Sequence, residues 1–254
     1  MLITLLKFTR VRIIVSFIRA LWFIKIKNSL ETFESASSGS VHEHTIFSNL
    51  RRVIANKEKP NKDADYIFGI DKQQDGSKIR LLMNPITSID RISSKLSQLK
   101  VLIIGPKLEA EILSVMSYGI PLNNISSVDL IKYSPWVDLG DMHDLPYEDN
   151  YFDLILCGWV IAYSNNKQKA AEEMLRVGKG ECVIGLAAAY SPLSNEEIIA
   201  KRGYLIGSEE RIENSDFLLS LYKDKVSKIY FKHDVDESQL NEYGKILTIF
   251  SINK

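Results

Sequence analysis

The feature that most constrains this chain is an alternation that begins at Lys100. "KVLIIG" is an unbroken apolar run ending in glycine, the form of a strand buried on both faces. "EAEILSVMSYG" follows with helical spacing and stops at Gly119. "ISSVDL" makes a second strand ending in Asp129, and "WVDLGD" a short third. "FDLILC" is a fourth, "NNKQKAAEEMLRVG" a helix that stops at Gly178, and "ECVIGLA" a fifth strand. Strands and helices in this rhythm predict a Rossmann-like α/β fold, a doubly wound and mostly parallel sheet. The end departs from it. After a helix at "SDFLLSLYKD", the runs "VSKIYFKHDV" and "GKILTIFSINK" are separated by a polar stretch too short for a parallel crossover. The last two strands are therefore expected as an antiparallel hairpin.

The chain ahead of this region has a different character. Residues 1–30 are basic and apolar, with Lys7, Arg10, Arg12, Arg19, Lys25 and Lys27 and no acid among them. The nearly uncharged run from Ile13 to Ile24 contains Arg19 and falls short of the roughly 20 residues of a spanning helix. It lacks the small-residue cleavage site of a signal peptide. Two readings stand: a segment in a membrane interface, with Trp22 and the cations at the headgroups, or a helix packed on the domain. Residues 31–94 read as a linker and accessory region. "ETFESASSGSVHEH", "NKEKPNKDAD" and "DKQQDGSK" are loop-like, with short apolar pieces such as "IRLLM" between them. Ile89, Ile92, Leu96 and Leu99 then have helical spacing, with Ser88 placed as the cap. Residues 95–254 form the third region, the α/β domain.

Charge narrows the partners. Lys+Arg and Asp+Glu are both 32, so no global charge points to nucleic acid. The two cysteines, Cys157 and Cys182, lie inside apolar runs with no CxxC or Cys/His cluster. They read as buried thiols of a reducing compartment, with no metal required. A cytoplasmic location is expected, peripheral at the inner face of a membrane if residues 1–27 touch lipid.

The most specific stretch is "LGDMHDLPYEDNYFDLILCGWVIAY": an acid and an apolar residue, then Leu-Pro-aromatic, then Asp-x-x-Phe-Asp running into the fourth strand. Together with "MLRVGKGECVIGLA" and the closing hairpin, it resembles the class I S-adenosylmethionine-dependent methyltransferases of the type 11-like kind, over roughly residues 95–254. The resemblance implies S-adenosylmethionine as cofactor and assigns roles by position. Gly105 would sit at the first turn, where the cofactor approaches the backbone. Asp129, about 24 residues later with Leu130 beside it, would accept hydrogen bonds from the ribose hydroxyls. Asp141 would take the adenine amino group and Met142 would pack on the ring. Cys157, Gly158 and Trp159 would line the methionine end. His143, Tyr163 and Tyr190 are base candidates by position, and Trp159 with Tyr163 would make an aromatic wall.

Each role has a plainer counterpart. Asp129 also reads as a strand-end turn residue, Asp141 as a capping acid, His143 as an exposed loop histidine, and Trp159 and Tyr163 as core.

The first turn departs from the family. An acid in the first strand and three glycines spaced by two belong there; Ile103 takes the acid's position, and Lys107 and Glu109 those of the later glycines. On one reading Lys107 pairs with the cofactor's carboxylate, and Glu109 or Glu111 with its ammonium. On the other, the acids simply favour a helix N-terminus, Lys107 is solvated, and the cofactor is no longer held. The expected function is methyl transfer to a small-molecule or glycan acceptor, in association with a membrane surface. The alternative is a catalytically inactive scaffold or partner-binding module. A nicotinamide-dependent oxidoreductase is disfavoured by "LPYEDNYFD", the hairpin and the lack of GxGxxG.

Overall fold

The run at 101–104 is apolar throughout because it is covered on both sides. In the computed structural model, which describes residues 31–32, 77–106, 109–132, 134–202, 210–236, 238 and 243–254, Val101–Ile104 (β1) is fully buried within a seven-stranded sheet. Leu102 and Ile104 point to one apolar core and Val101 and Ile103 to the other, the period-2 alternation of a strand. The remaining strands are Ile125–Asp129 (β2), Asp138–Leu139 (β3), Phe152–Gly158 (β4), Gly178–Tyr190 (β5), Val226–His233 (β6) and Gly244–Ile252 (β7).

Their spatial order is β3-β2-β1-β4-β5-β7-β6. The first five are parallel, whereas β7 runs antiparallel to both β5 and β6. This is the mostly parallel sheet with an antiparallel end expected from the sequence. A separate two-residue ladder pairs Glu31–Thr32 with Ile131–Lys132.

Helices Ser77–Ile86 (α1) and Glu109–Met116 (α2) pack on one face. Lys167–Val177 (α3) and Ser215–Ser220 (α5) pack on the other, and Asn195–Arg202 (α4) follows β5. Helix α3 starts where its sequence says it should, because the Asn166 side chain accepts the Lys169 N–H at 3.0 Å. It ends at Gly178.

Two local expectations change. The piece "IRLLM" is no linker fragment but the inner face of α1, whose Ile79, Leu82, Met83 and Ile86 are buried against β4 and β5. Their spacing of three, one and three is helical, but Pro85 in the last turn and the polar flanks obscured it. The segment after it is a four-residue helix, Asp90–Ser93, followed by a 3-10 turn at Leu96–Gln98. Ser88 does not cap it; Ile89 stands at the cap position, and the Ser88 hydroxyl donates to the Asn84 carbonyl at 3.2 Å. Four serines between 88 and 97 disfavour a long helix. The basic apolar segment 1–30 lies outside the described residues. Among those described, no helix is long and apolar enough to cross a membrane.

Candidate active site

Strand β1 leads on to β2 on one side, and its other neighbour β4 leads on to β5 on the opposite side. Open α/β sheets bind ligands at such a reversal, beyond the C-terminal ends of the strands. Three segments meet there. Gly105 leaves β1 with φ +64 and donates its N–H to the Val128 carbonyl at 2.8 Å. Asp129, half-buried, ends β2, and its carbonyl accepts the Gly140 N–H at 3.0 Å. From β4 comes Trp159, left-handed at φ 63, with its N–H held by the Ala187 carbonyl at 2.6 Å.

Val160, next in the chain, reaches back across the crevice. A Cβ on Gly105 would lie 2.6 Å from Val160 Cγ2, so this position needs glycine both for its φ and for the close approach. Trp159 has no such freedom. A bulky residue held left-handed costs about 1–2 kcal/mol, and such strain gathers where function needs it. Lys78 Nζ lies 5.5 Å from the centre of the Trp159 ring.

The sequence candidates separate into two groups. Gly105, Asp129 and the Trp159 backbone meet at the crevice, while the half-buried Trp159 ring packs against the core on the α1 face. Leu130 is half-buried beyond Asp129, and Glu109 and Glu111, also half-buried, open α2. Lys107 lies outside the described residues. Cys157 does not line the crevice with its side chain, which is 0% exposed in the core on the α3 face, where burial pushes the thiol up to about 12. Met142 is packed in that same core. Tyr163 closes the 3-10 turn Val160–Tyr163 and is half-buried.

His143 is not an exposed loop residue. It is 5% exposed, and its Nδ1 lies 2.6 Å from Asp141 Oδ1, which also accepts the His143 backbone N–H at 2.9 Å. Its Nε2 lies 2.7 Å from Ser164 Oγ. Burial removes it from the list of bases available to an acceptor, and Asp141 is engaged by the imidazole. No period of apolar residues marks the loop, so nothing in the sequence announced this burial.

The motif that carried the family resemblance is anchored rather than open. Arg176 of α3 donates to the carbonyls of Leu145 and Tyr147 at 2.8 Å each, and pairs with Asp149 and Glu173 at 2.7 Å each. Glu173 accepts the Leu145 N–H at 2.8 Å. Asp153 accepts the Lys100 N–H and pairs with Lys179, both at 2.8 Å.

Beyond the crevice, a cleft with about 450 Å3 of empty space, open solvent included, is lined by Ala162, Tyr190, Ile198, Glu210, Ile212 and Tyr243 among others. Sequence reasoning found only Tyr190 of these. The signal for Ile198 was present in "SNEE": Ser194 Oγ accepts the Glu197 N–H at 3.2 Å, and the Glu197 carboxylate accepts the Ser194 N–H at 2.7 Å. That reciprocal pair is a capping box, which starts α4. Arg211, also on the wall, spends its guanidinium on the carbonyls of Ser191 and Leu193.

Residues 120–184 match the family profile described as a methyltransferase domain. No curated protein matches the sequence. Among solved structures, the chain is similar to the PH0226 protein from Pyrococcus horikoshii OT3, at 16% identity and TM-score 0.49, covering 72% of this chain and 93% of that one. It is also similar to the N-methyltransferase NodS from Bradyrhizobium japonicum WM9, in complex with S-adenosyl-L-homocysteine, at 12% identity and TM-score 0.46, covering 70% and 87%. A third is the [4+2]-cyclase SpnF, at 14% identity and TM-score 0.47, covering 69% and 80%. The profile match runs from ahead of β2 to Ile184 within β5, so it takes in Asp129 and Trp159 but not Gly105 at the end of β1. Residues 120–184 thus carry the methyltransferase-domain match within a mostly parallel sheet closed by the antiparallel strand β7.

Proposed function

We propose that the chain methylates a small-molecule acceptor held in the cleft beside Tyr190, with S-adenosylmethionine in the crevice between Gly105, Asp129 and Trp159. The observation that carries this is the meeting of those three segments beyond the parallel strands, with the cleft at the same end of the sheet. The residues present fit the cofactor's chemistry. The Asp129 carboxylate suits a ribose diol, and Glu109 or Glu111 an ammonium group. Leu130 offers apolar surface.

When bound, S-adenosylmethionine supplies a methyl group on a sulfonium, which an acceptor lone pair takes in line as the sulfur keeps the bonding electrons. The chain's own part is then positioning, for which orientation alone can supply several kcal/mol. Gly105 and the left-handed Trp159 set the crevice walls. Tyr190 stands on the cleft wall, within reach of an acceptor's proton in this reading. The membrane-surface version, cytoplasmic with residues 1–27 at the headgroups, draws on the composition of that segment alone, as does a glycan acceptor.

A second reading is favoured by one contact. The Val160 side chain packs where a side chain on Gly105 would be, so the turn is covered by the chain itself, which suits a scaffold that has given up the cofactor. Calorimetric titration of the full chain with S-adenosylmethionine and S-adenosylhomocysteine decides between them. Binding at micromolar strength, weakened at least tenfold by Asp129→Ala, is the expected result. A folded protein that binds neither compound returns the scaffold reading.

A further inference from the structure

The crevice is bounded by a closed circuit of contacts. Gly105 is held to the end of β2 at Val128, and Asp129 in turn holds Gly140. From Gly140 the chain enters Asp141, His143 bridges Asp141 to Ser164, and the segment containing Ser164 returns through Val160 to Gly105. The one link in this description made by side chain to side chain hydrogen bonds is His143. We propose that His143 is a positioning residue: its imidazole clamps the loop after β3 to the segment after β4 and so fixes the width of the cofactor crevice. This rests on the S-adenosylmethionine reading above.

The hydrogen-bond directions are consistent around the ring. A carboxylate only accepts, so Nδ1 carries the proton toward Asp141 Oδ1. Ser164 Oγ accepts the Asn166 N–H at 3.1 Å, and with Nδ1 protonated its own O–H can donate to a bare Nε2 at 2.7 Å. The imidazole thereby joins both loops at once. The clamp is also dry: Asp141 and Ser164 are each 1% exposed and His143 is 5% exposed. Hydrogen bonds in so buried a setting are electrostatically stronger than in water. Lys167, buried beside them, donates to the Ser164 carbonyl at 3.0 Å and pairs with Glu210 on the cleft wall at 3.4 Å. The clamp thus ends on the segment that also reaches the acceptor side.

The test uses the full chain and its His143→Ala, His143→Asn and Ser164→Ala variants. Each is titrated calorimetrically with S-adenosylmethionine and S-adenosylhomocysteine, at a temperature well below its own measured unfolding midpoint. His143→Ala is expected to weaken binding at least tenfold, and Ser164→Ala less. His143→Asn, whose amide N–H replaces Nδ1–H, should recover part of the loss. Nitrogen-15 spectra of the wild-type ring should show Nδ1 protonated and Nε2 bare. A merely structural histidine would lower the unfolding midpoint and leave affinity untouched, and that result overturns the clamp. If His143→Ala does not fold, unchanged affinity in both remaining variants overturns it equally. A wild-type chain that binds neither compound overturns the cofactor reading, and the clamp with it.

Discussion

The segment from Asp141 to Asp153, leading into β4, and the glycine that leaves β1 border the same sheet, yet they are held by different means. The loop is tied by Arg176, Glu173, Lys100 and Lys179 through hydrogen bonds of 2.7–2.8 Å. Gly105 is held by the hydrogen bond from its N–H to the Val128 carbonyl and by the shape of Val160 against it. The loop carries the residues most typical of the family, and they serve architecture. The turn carries the residues that depart from the family, and Gly105 at its start borders the crevice. Family likeness and chemical individuality are thus sorted onto different segments.

The largest effect should come from cutting the loop's main anchor. Arg176→Ala leaves Glu173, 7% exposed, with only Lys169 at 3.9 Å as a cation, and losing that half-buried pair costs about 1–3 kcal/mol, read from denaturant unfolding. Acid should mimic the cut. Burial pushes the Glu173 carboxyl up, but the Arg176 hydrogen bond, the Leu145 N–H and the charges of Arg176 and Lys169 outweigh it and hold it below its ordinary 4.5. A lowered carboxyl contributes stability that is present above that ordinary value and is lost as pH falls through the lowered one. Wild-type stability should therefore drop on acidification below 4.5, and Arg176→Ala should show a shallower drop. An equal drop in both would mean that the anchor lies elsewhere.

An intermediate effect is expected at the turn. Gly105→Ala forces a left-handed alanine, costing about 1–2 kcal/mol, and drives its Cβ into Val160. Adding Val160→Ala should return part of the loss, because residues in contact do not add. Strict additivity of the two unfolding free energies would break the claim that shape holds the turn.

The smallest effect sets the floor of the comparison. Ser88→Ala removes a hydroxyl that is exposed and bonded only locally, so its cost should stay within about 0.5 kcal/mol. A loss of about 1 kcal/mol would restore it as a helix cap.

These contrasts also explain what the sequence revealed. The strands were legible because a strand covered on both faces must be apolar at every position, as Val101–Ile104 and Leu154–Cys157 are. The closing hairpin followed from a connection too short for anything else. Helix α1 stayed hidden because its apolar residues at helical spacing lay between polar flanks, with Pro85 inside its last turn. At the site, Asp129 could be placed from its strand end alone. His143 could not, because its burial depends on Ser164, 21 residues away in the chain. The approach of Val160 to Gly105 is likewise a property of two loops meeting, and local pattern contains no trace of it.

The two cysteines have a use that no catalytic account gives them. Cys157 and Cys182 are the chain's full complement of thiols, both sealed in the same core, 0% and 1% exposed, on the adjoining strands β4 and β5. Burial pushes both thiols up, so neither offers a thiolate while the sheet is shut. A thiol reagent added to the native protein is therefore a clock on the sheet itself. Each modified molecule records one occasion on which the strands beneath the crevice came apart.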